Sequence, residues 1–265
     1  MAAIISSDLW CSPELFDRFL ALLTLLLLAT RIDGQPVSAP QAGLDIEINV
    51  PAFRLVVRAD TGIIRSFPVA VGMRRYPTPT GDYEITEVHW NPWWRPPDSP
   101  WAEKDTITPP GPRNPMGKVK MPLGRALLVH GTSQPASIGT AASHACIRLH
   151  NTDAVALAKL VQEYAGANVP EGATDSLLRR WRPSRRIPLR SPVPVRIVYN
   201  LVELHGDTLA VYPDVYRRGR DTIEADALAL LATAGYDTAA VDRDLVRSVA
   251  EKGARARTKV AIPRR

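Results

Sequence analysis

Cysteine and histidine are scarce in this 265-residue chain: two cysteines, Cys11 and Cys146, and five histidines. So few thiols exclude a disulfide-dense scaffold, and they rule out the closed zinc patterns that rest on paired cysteines. Long apolar runs are lacking as well. The run "FLALLTLLLLAT", Phe19 to Thr30, is shorter than the ~20 residues a membrane span needs. No stretch interleaves basic and aromatic residues, so nucleic acid is not an expected partner. The 33 Lys+Arg against 27 Asp+Glu leave a modest excess, and the Arg-rich stretches fall after residue 178. That balance suits a polyanionic surface such as a cell envelope, and it suits solvated linkers equally. No internal repeat is present.

The short apolar run, followed by polar "RIDGQPVSAPQAG", reads as the core of an export signal. Its flanks are mixed. Asp8, Glu14 and Asp17 leave only Arg18 as a well-placed basic residue, and the small residues near Ala39 and Ala42 form no clean cleavage site. Residues 1–43 are therefore expected to be a signal peptide or an amino-terminal anchor plus linker. The expected location is exported, in the periplasm or cell envelope, with the membrane touched only through an uncleaved segment. There Cys146 is the single thiol of the mature domain, either a small buried hydrophobe or a reactive group.

Beyond the linker, "LDIEINVP", "FRLVVRA" and "IIRSFPVAVG" are β-branched runs, the last two joined by a turn at Asp60-Thr61-Gly62, and they read as antiparallel strands. "TPTGDYEITEVH" adds another. The Pro/Gly/Trp segment from Trp90 to Pro122 has no usable period and reads as a lid or binding loop, in which Trp90, Trp93, Trp94 and Trp101 either stack on a ligand or cap the core. "RALLVHG" restores a strand ending in His130. A helix follows, capped by Asn151 or Thr152, with Val155, Leu157, Leu160, Val161 and Tyr164 on its apolar face. Residues 177–192 read as an Arg/Pro-rich surface connection, "VPVRIVYNLVEL" and "TLAVYPDVY" as a hairpin, and residues 217–265 as two helices with a disordered basic tail. The chain is thus expected to be mainly β, with a few helices and a small α-helical carboxyl-terminal extension.

Three histidines and Cys146 cluster in "LLVHGT" and "SHACIRLHN". A cysteine nucleophile needs a base, something to orient that base, and donors for an oxyanion. His130 at a strand end can be brought against Cys146, and a thiolate–imidazolium pair would raise the thiolate population at neutral pH. Neither segment holds a carboxylate to orient His130, so a backbone carbonyl near Gly131 or a distant Asp must do so. The amides of Ala145 and Cys146 are natural oxyanion donors. A zinc site of His130, His144, Cys146 and His150 matches no closed pattern, and a buried thiol beside core histidines is the plainest alternative. No metal or cofactor is expected.

The combination of "HGT" and "SHACIRLHN" resembles the signature of the YkuD-type L,D-transpeptidases. "FRLVV", "PVAVG", "YPTPTGDYEI", the "NPWW…PPGPRNPMGK" loop, "PVRIVYN" and "VYPDVY" are similar to its ErfK/YbiS-like subgroup, over roughly Leu44 to Tyr216. The resemblance implies a YkuD-like β-sandwich catalytic domain at 44–216 that acts on peptidoglycan stem peptides. Cys146 would attack the bond between a diamino acid and D-Ala, release D-Ala and pass the acyl group to an amine, either on a second stem (a 3-3 cross-link) or on an envelope protein. Passing it to water would make an L,D-carboxypeptidase, and a catalytically weak peptidoglycan-binding module is a further alternative. By position His130 matches the base, His144 the second histidine, and Arg148 the residue for a substrate carboxylate; Ser143 and Gly131 complete the expected substrate-binding set. The family usually has glycine where this chain has Ala145. If φ there is positive, alanine is strained by ~1–2 kcal/mol; if the backbone is extended, the change is harmless.

Overall fold

A computed structural model describes residues 43–262, apart from positions 61, 125, 168, 170, 171, 180, 182, 254 and 255. The apolar run at Phe19–Thr30, Cys11, Ala39, Ala42 and Arg255 lie outside the described residues. The chain is mainly β. Strands β1 (Asp45–Asn49), β2 (Arg54–Ala59) and β3 (Gly62–Pro68) form the expected antiparallel run. The short β4 (Val71–Gly72) and the long β5 (Gly81–Trp90) follow, then β6 (Val119–Gly124), β7 (Leu127–His130), β8 (Ala141–Ser143), β9 (Ile147–Arg148) and β10 (Arg185–Val198).

Eight of these strands form one sheet in the order β3-β2-β1-β10-β5-β6-β7-β9, while β4 and β8 pair separately in parallel. The sheet curls until its two ends meet. Ala70, just beyond β3, exchanges two 2.9 Å backbone hydrogen bonds with Arg148 of β9. Alternation, which changes phase once in β5 between Ile85 and Val88, sends Ile46, Ile48, Val57, Ile85, Val88, Met121, Val129, Ile147, Val195 and Ile197 into one core. Helix α1 (Asn151–Tyr164) packs on β6 and β7 and buries Ala154, Leu157, Ala158 and Val161 completely. Each Leu or Val so buried contributes roughly 1.5–3 kcal/mol.

The segment read as an Arg/Pro-rich surface connection is ordered instead. It runs from the last residues of helix α2 (Ala173–Arg179) into the first half of β10. Its Pro188, Pro192 and Pro194 precede Val195, where pairing with β1 begins, so this half of the strand has β5 alone as a partner. A missing N–H costs little on a side that has no partner, and the register shift between Pro188 and Val193 bends the strand there.

The carboxyl-terminal part has its own apolar cluster. Strands β11 (Val202–His205) and β12 (Thr208–Val211) make the expected hairpin, and helices α3 (Ile223–Thr233) and α4 (Arg243–Gly253) cover it with Ile223, Leu231, Val246 and Val249. The tail read as disordered contributes strand β13 (Thr258–Ala261), paired antiparallel with β12, and Ile262 beyond it is 3 % exposed. Flanking arginines hide this strand in the sequence, where only Val260 and Ile262 alternate into the cluster. Among the described residues no helix is long and apolar enough to cross a membrane.

Candidate active site

The site grows from the alternation of β7 and β9. Leu127 and Val129 point into the core, which turns Leu128 and His130 to the opposite face. The strands are parallel, with Val129 opposite Ile147 and His130 opposite Arg148. Continuing the register one residue back sets Cys146 beside Leu128, on the same face as His130 and Arg148. All four line one cavity of 610 Å³, together with His144 and Ala145.

His130 is only 2 % exposed. Its Nδ1–H donates to the Gly131 carbonyl at 2.5 Å, which decides between the two orienters left open by the sequence. A carbonyl can only accept, so the proton sits on Nδ1 and Nε2 is the basic nitrogen. Burial pushes the imidazole down to about 4, and the charges of Arg148 and Lys120 add to this against the opposing carbonyls of Gly131 and Pro115. Burial also pushes the Cys146 thiol up, with the Leu128 backbone and then Arg148 opposing. Its Sγ lies 3.7 Å from the Ala126 carbonyl, and no hydrogen bond joins it to His130. The resting pair is therefore a neutral thiol and a neutral imidazole rather than the expected thiolate–imidazolium, because both groups are buried and the charged forms are penalised.

Cys146 sits in a turn that the sequence could describe only conditionally. Ala145 has φ 77, so the strained alternative applies. Several groups hold it there. The Thr78 hydroxyl donates to the Ala145 carbonyl at 2.7 Å and accepts from the Gly72 amide at 2.8 Å. The Tyr216 hydroxyl accepts from the Thr78 amide at 3.0 Å and donates to the Gly72 carbonyl at 2.8 Å. Gly72 must be glycine, since a Cβ there would stand 2.2 Å from the Tyr76 carbonyl oxygen and 2.9 Å from the Ala145 Cα. Ser143 lines the cavity, but its hydroxyl donates back to the Cys146 carbonyl at 2.5 Å. Among the described residues neither the Ala145 nor the Cys146 amide meets a protein acceptor.

The loop from Asn91 to Lys118 forms the far wall. Trp93, Trp94 and Trp101 line the cavity, whereas Trp90 is fully buried and donates to the Gln162 amide oxygen at 3.2 Å, a core role. The Trp101 ring stacks on His144 at 3.9 Å and 8°, and Tyr76 tilts against it at 4.8 Å. Burial lowers the His144 pKa, with Arg148 adding to the shift, so this ring is neutral too. Arg148 reaches the Gln134 amide oxygen at 3.1 Å, a neutral partner that leaves its charge available.

Cys146, His130, His144, Ser143, Ala145 and Arg148 thus come together, while Gly131 and His150 do not line the cavity. Gly131 acts through its carbonyl and through its lack of a side chain. The Asn151 side chain accepts from the Lys118 amide and donates to the Thr132 carbonyl, both at 2.9 Å, and a Cβ on Gly131 would approach its Oδ1 to 2.3 Å. Asn151 is therefore a bracket between the loop and the His130 strand rather than a helix cap; His150 holds the cap position without a side-chain bond. Thr78, Tyr216 and Lys120 escaped the sequence reading, which gave Asn151 only as a helix cap. Thr78 and Tyr216 lie in the stretches "YPTPTG" and "VYPDVY", but distance along the chain gave no sign that they meet.

Residues 44–195 match the YkuD family, the L,D-transpeptidase catalytic domain. The putative L,D-transpeptidase YkuD of Bacillus subtilis is 31% identical over 117 residues, covering 44% of this chain and 59% of its own length. The probable L,D-transpeptidase ErfK/SrfK of Escherichia coli is 31% identical over 136 residues, covering 48% of this chain and 41% of its own. The chain therefore spans less than two thirds of the length of the curated relatives it matches. A solved L,D-transpeptidase from Mycobacterium smegmatis aligns over 59% of each chain at 14% identity with a TM-score of 0.40, too loose a likeness for residue-level inference. With a family match over more than half of its length, the chain belongs to the YkuD family of L,D-transpeptidase catalytic domains.

Proposed function

We propose that this chain is a peptidoglycan L,D-transpeptidase with Cys146 as nucleophile and His130 as base. The observation that carries this reading is the shared face of β7 and β9, which gives His130, Cys146 and Arg148 one cavity. The substrate is a tetrapeptide stem in which a diamino acid is joined through its L-centre to D-Ala. The Cys146 proton passes to His130 Nε2 as Sγ attacks the diamino acid carbonyl. The oxyanion is met by the unpartnered amides of Ala145 and Cys146. Collapse breaks the peptide bond, the departing D-Ala nitrogen takes the proton back from Nε2, and a thioester remains. An amine then attacks the thioester, yielding its proton to His130, and Sγ leaves as the thiol. The acceptor is the amine of a second stem, which gives a 3-3 cross-link, or that of an envelope protein, which anchors it to the wall.

Arg148 holds the terminal carboxylate of the leaving D-residue, and the stacked His144 walls the same pocket. Such a substrate lies in the cell envelope, which agrees with the export signal read from residues 19–30. Intact-protein and product mass spectrometry after incubation with a disaccharide-tetrapeptide tests the reading. A covalent adduct, released D-Ala and a cross-linked dimer, all absent in Cys146→Ala, are the expected products. Free D-Ala with a tripeptide and no dimer would mean water is the acceptor. A folded protein that binds the stem without turnover would make it a binding module, the second reading, which the strain at Ala145 favours.

A further inference from the structure

The cavity carries an excess of positive charge, part of which the mechanism above leaves unused. Three cations line it, Arg95, Lys120 and Arg148, and no aspartate or glutamate does. The strand registers set His89, Lys120, His130 and Arg148 in one row across β5, β6, β7 and β9. His130 therefore has a cation on each side. With strands ~4.8 Å apart, the Lys120 and Arg148 backbones stand roughly 10 Å from one another, astride the base.

The Lys120 side chain is half-buried and makes no hydrogen bond or ion pair among the described residues. The acid nearest it, Glu87, is already bound to His89 at 2.7 Å and to Arg186. Burial lowers the Lys120 pKa, Glu87 opposes the shift, and Arg95 from the tryptophan loop adds to it. Lys118, two residues away, shows what a structurally settled lysine looks like here: it donates to the Leu178 carbonyl at 2.6 Å and lies 4.7 Å over the Trp181 ring. Glu87 favours the Lys120 charge only through space, so a half-buried ammonium with a cationic neighbour and no hydrogen-bond acceptor of its own is a ready partner for an incoming anion.

We propose that Lys120, with Arg95, forms a second carboxylate subsite on the side of His130 opposite Arg148, and that it selects donor stems whose diamino acid carries a free side-chain carboxylate. This rests on the transpeptidase reading and narrows its substrate. Arg148 takes the terminal carboxylate on the leaving side, and Lys120 takes the carboxylate that stays with the acyl group. A lysine-type residue, which lacks that group, or a carboxamide, which has lost its charge, leaves Lys120 unpaired in the complex.

Three synthetic tetrapeptide stems test it, differing only at the side-chain end of the third residue: carboxylate, carboxamide or hydrogen. Wild-type kcat/KM for D-Ala release is expected to favour the carboxylate by about tenfold, the size of one charge-assisted contact. Lys120→Gln should erase that preference and Lys120→Arg should keep it. Equal handling of the three stems by the wild type, or a preference that survives in Lys120→Gln, overturns the proposal. If no stem is turned over, the transpeptidase reading fails instead. Calorimetric binding of the same stems to Cys146→Ala and to Cys146→Ala/Lys120→Gln then decides the subsite separately, with an equal Kd for all three counting against it.

Discussion

Replacing Thr78 by valine keeps its shape and removes one hydroxyl, and that hydroxyl holds the turn ahead of the nucleophile. Thr78 is fully buried, so the change strands the Gly72 amide and the Ala145 carbonyl, at ~1–3 kcal/mol for each unsatisfied group. Ala145, at φ 77, prefers to leave this conformation by ~1–2 kcal/mol. Without the hydroxyl it should relax toward negative φ and turn the Ala145 and Cys146 amides away from the oxyanion. Loss of one such donor lowers kcat by ~10²–10³-fold. Glycine at 145 has no such preference, so in Ala145→Gly the same valine substitution should cost ~1–2 kcal/mol less. The assay is a double-mutant cycle: kcat and KM for D-Ala release by wild type, Thr78→Val, Ala145→Gly and the double variant. A mere loss of folding would affect both backgrounds alike. The reasoning is refuted if the Thr78→Val penalties in kcat agree within ~0.5 kcal/mol.

His130 makes stability pH-dependent. Its folded pKa is about 4 against an ordinary 6.5, so unfolding takes up a proton between these values. Stability is full above pH ~6.5 and falls by ~3 kcal/mol as pH drops to ~4, a loss that denaturant titrations should find missing in His130→Gln. Gly131→Ala drives a Cβ against an Asn151 side chain fixed at both ends, and should lower Tm by roughly 2–12 °C through ~1–3 kcal/mol of overpacking. Deleting residues 258–265 removes β13 and buried Ile262, and should lower Tm while D-Ala release well below the transition persists. An unchanged Tm would mean that the strand adds nothing to the carboxyl-terminal cluster.

The parts of this molecule that were legible in its sequence are those in which a residue's role depends on its near neighbours. Alternation marks β1 to β3 and the β11–β12 hairpin, the helical period marks α1, α3 and α4, and the clustering of His130, His144 and Cys146 marks the chemistry. What stayed hidden depends on partners far along the chain. Proline argues against β10 until one sees that β1 joins only at Val195. Arginines mask β13. Thr78 is separated from Ala145 by 67 positions and from Tyr216 by 138, and nothing local reveals that the three meet around Gly72. The protonation of the pair was misjudged for a related reason. Cys146 beside a histidine suggests a thiolate, but burial, which belongs to the whole fold, makes both groups neutral.

That neutrality has a consequence for how the proposed chemistry starts. Proton transfer from Cys146 to His130 is uphill in the resting cavity, partly because Arg148 and Lys120 both disfavour a charged imidazole. On the proposed reading these are the groups that the stem's two carboxylates neutralise. Binding the stem therefore offsets two of the charges that disfavour a protonated His130 while it brings the carbonyl that Sγ attacks. Arg148 also stabilises the thiolate, so pairing it with a carboxylate weakens that help, whereas Lys120 is not among the groups that shift Cys146. The two cations are therefore unequal. Filling the Lys120 side raises the basicity of His130 without a matching penalty on the thiolate, so a stem with its side-chain carboxylate should gain in the rate of thioester formation as well as in binding. Single-turnover acylation at saturating stem reads that gain directly. If the carboxylate and carboxamide stems acylate Cys146 at the same saturated rate, Lys120 acts on affinity alone.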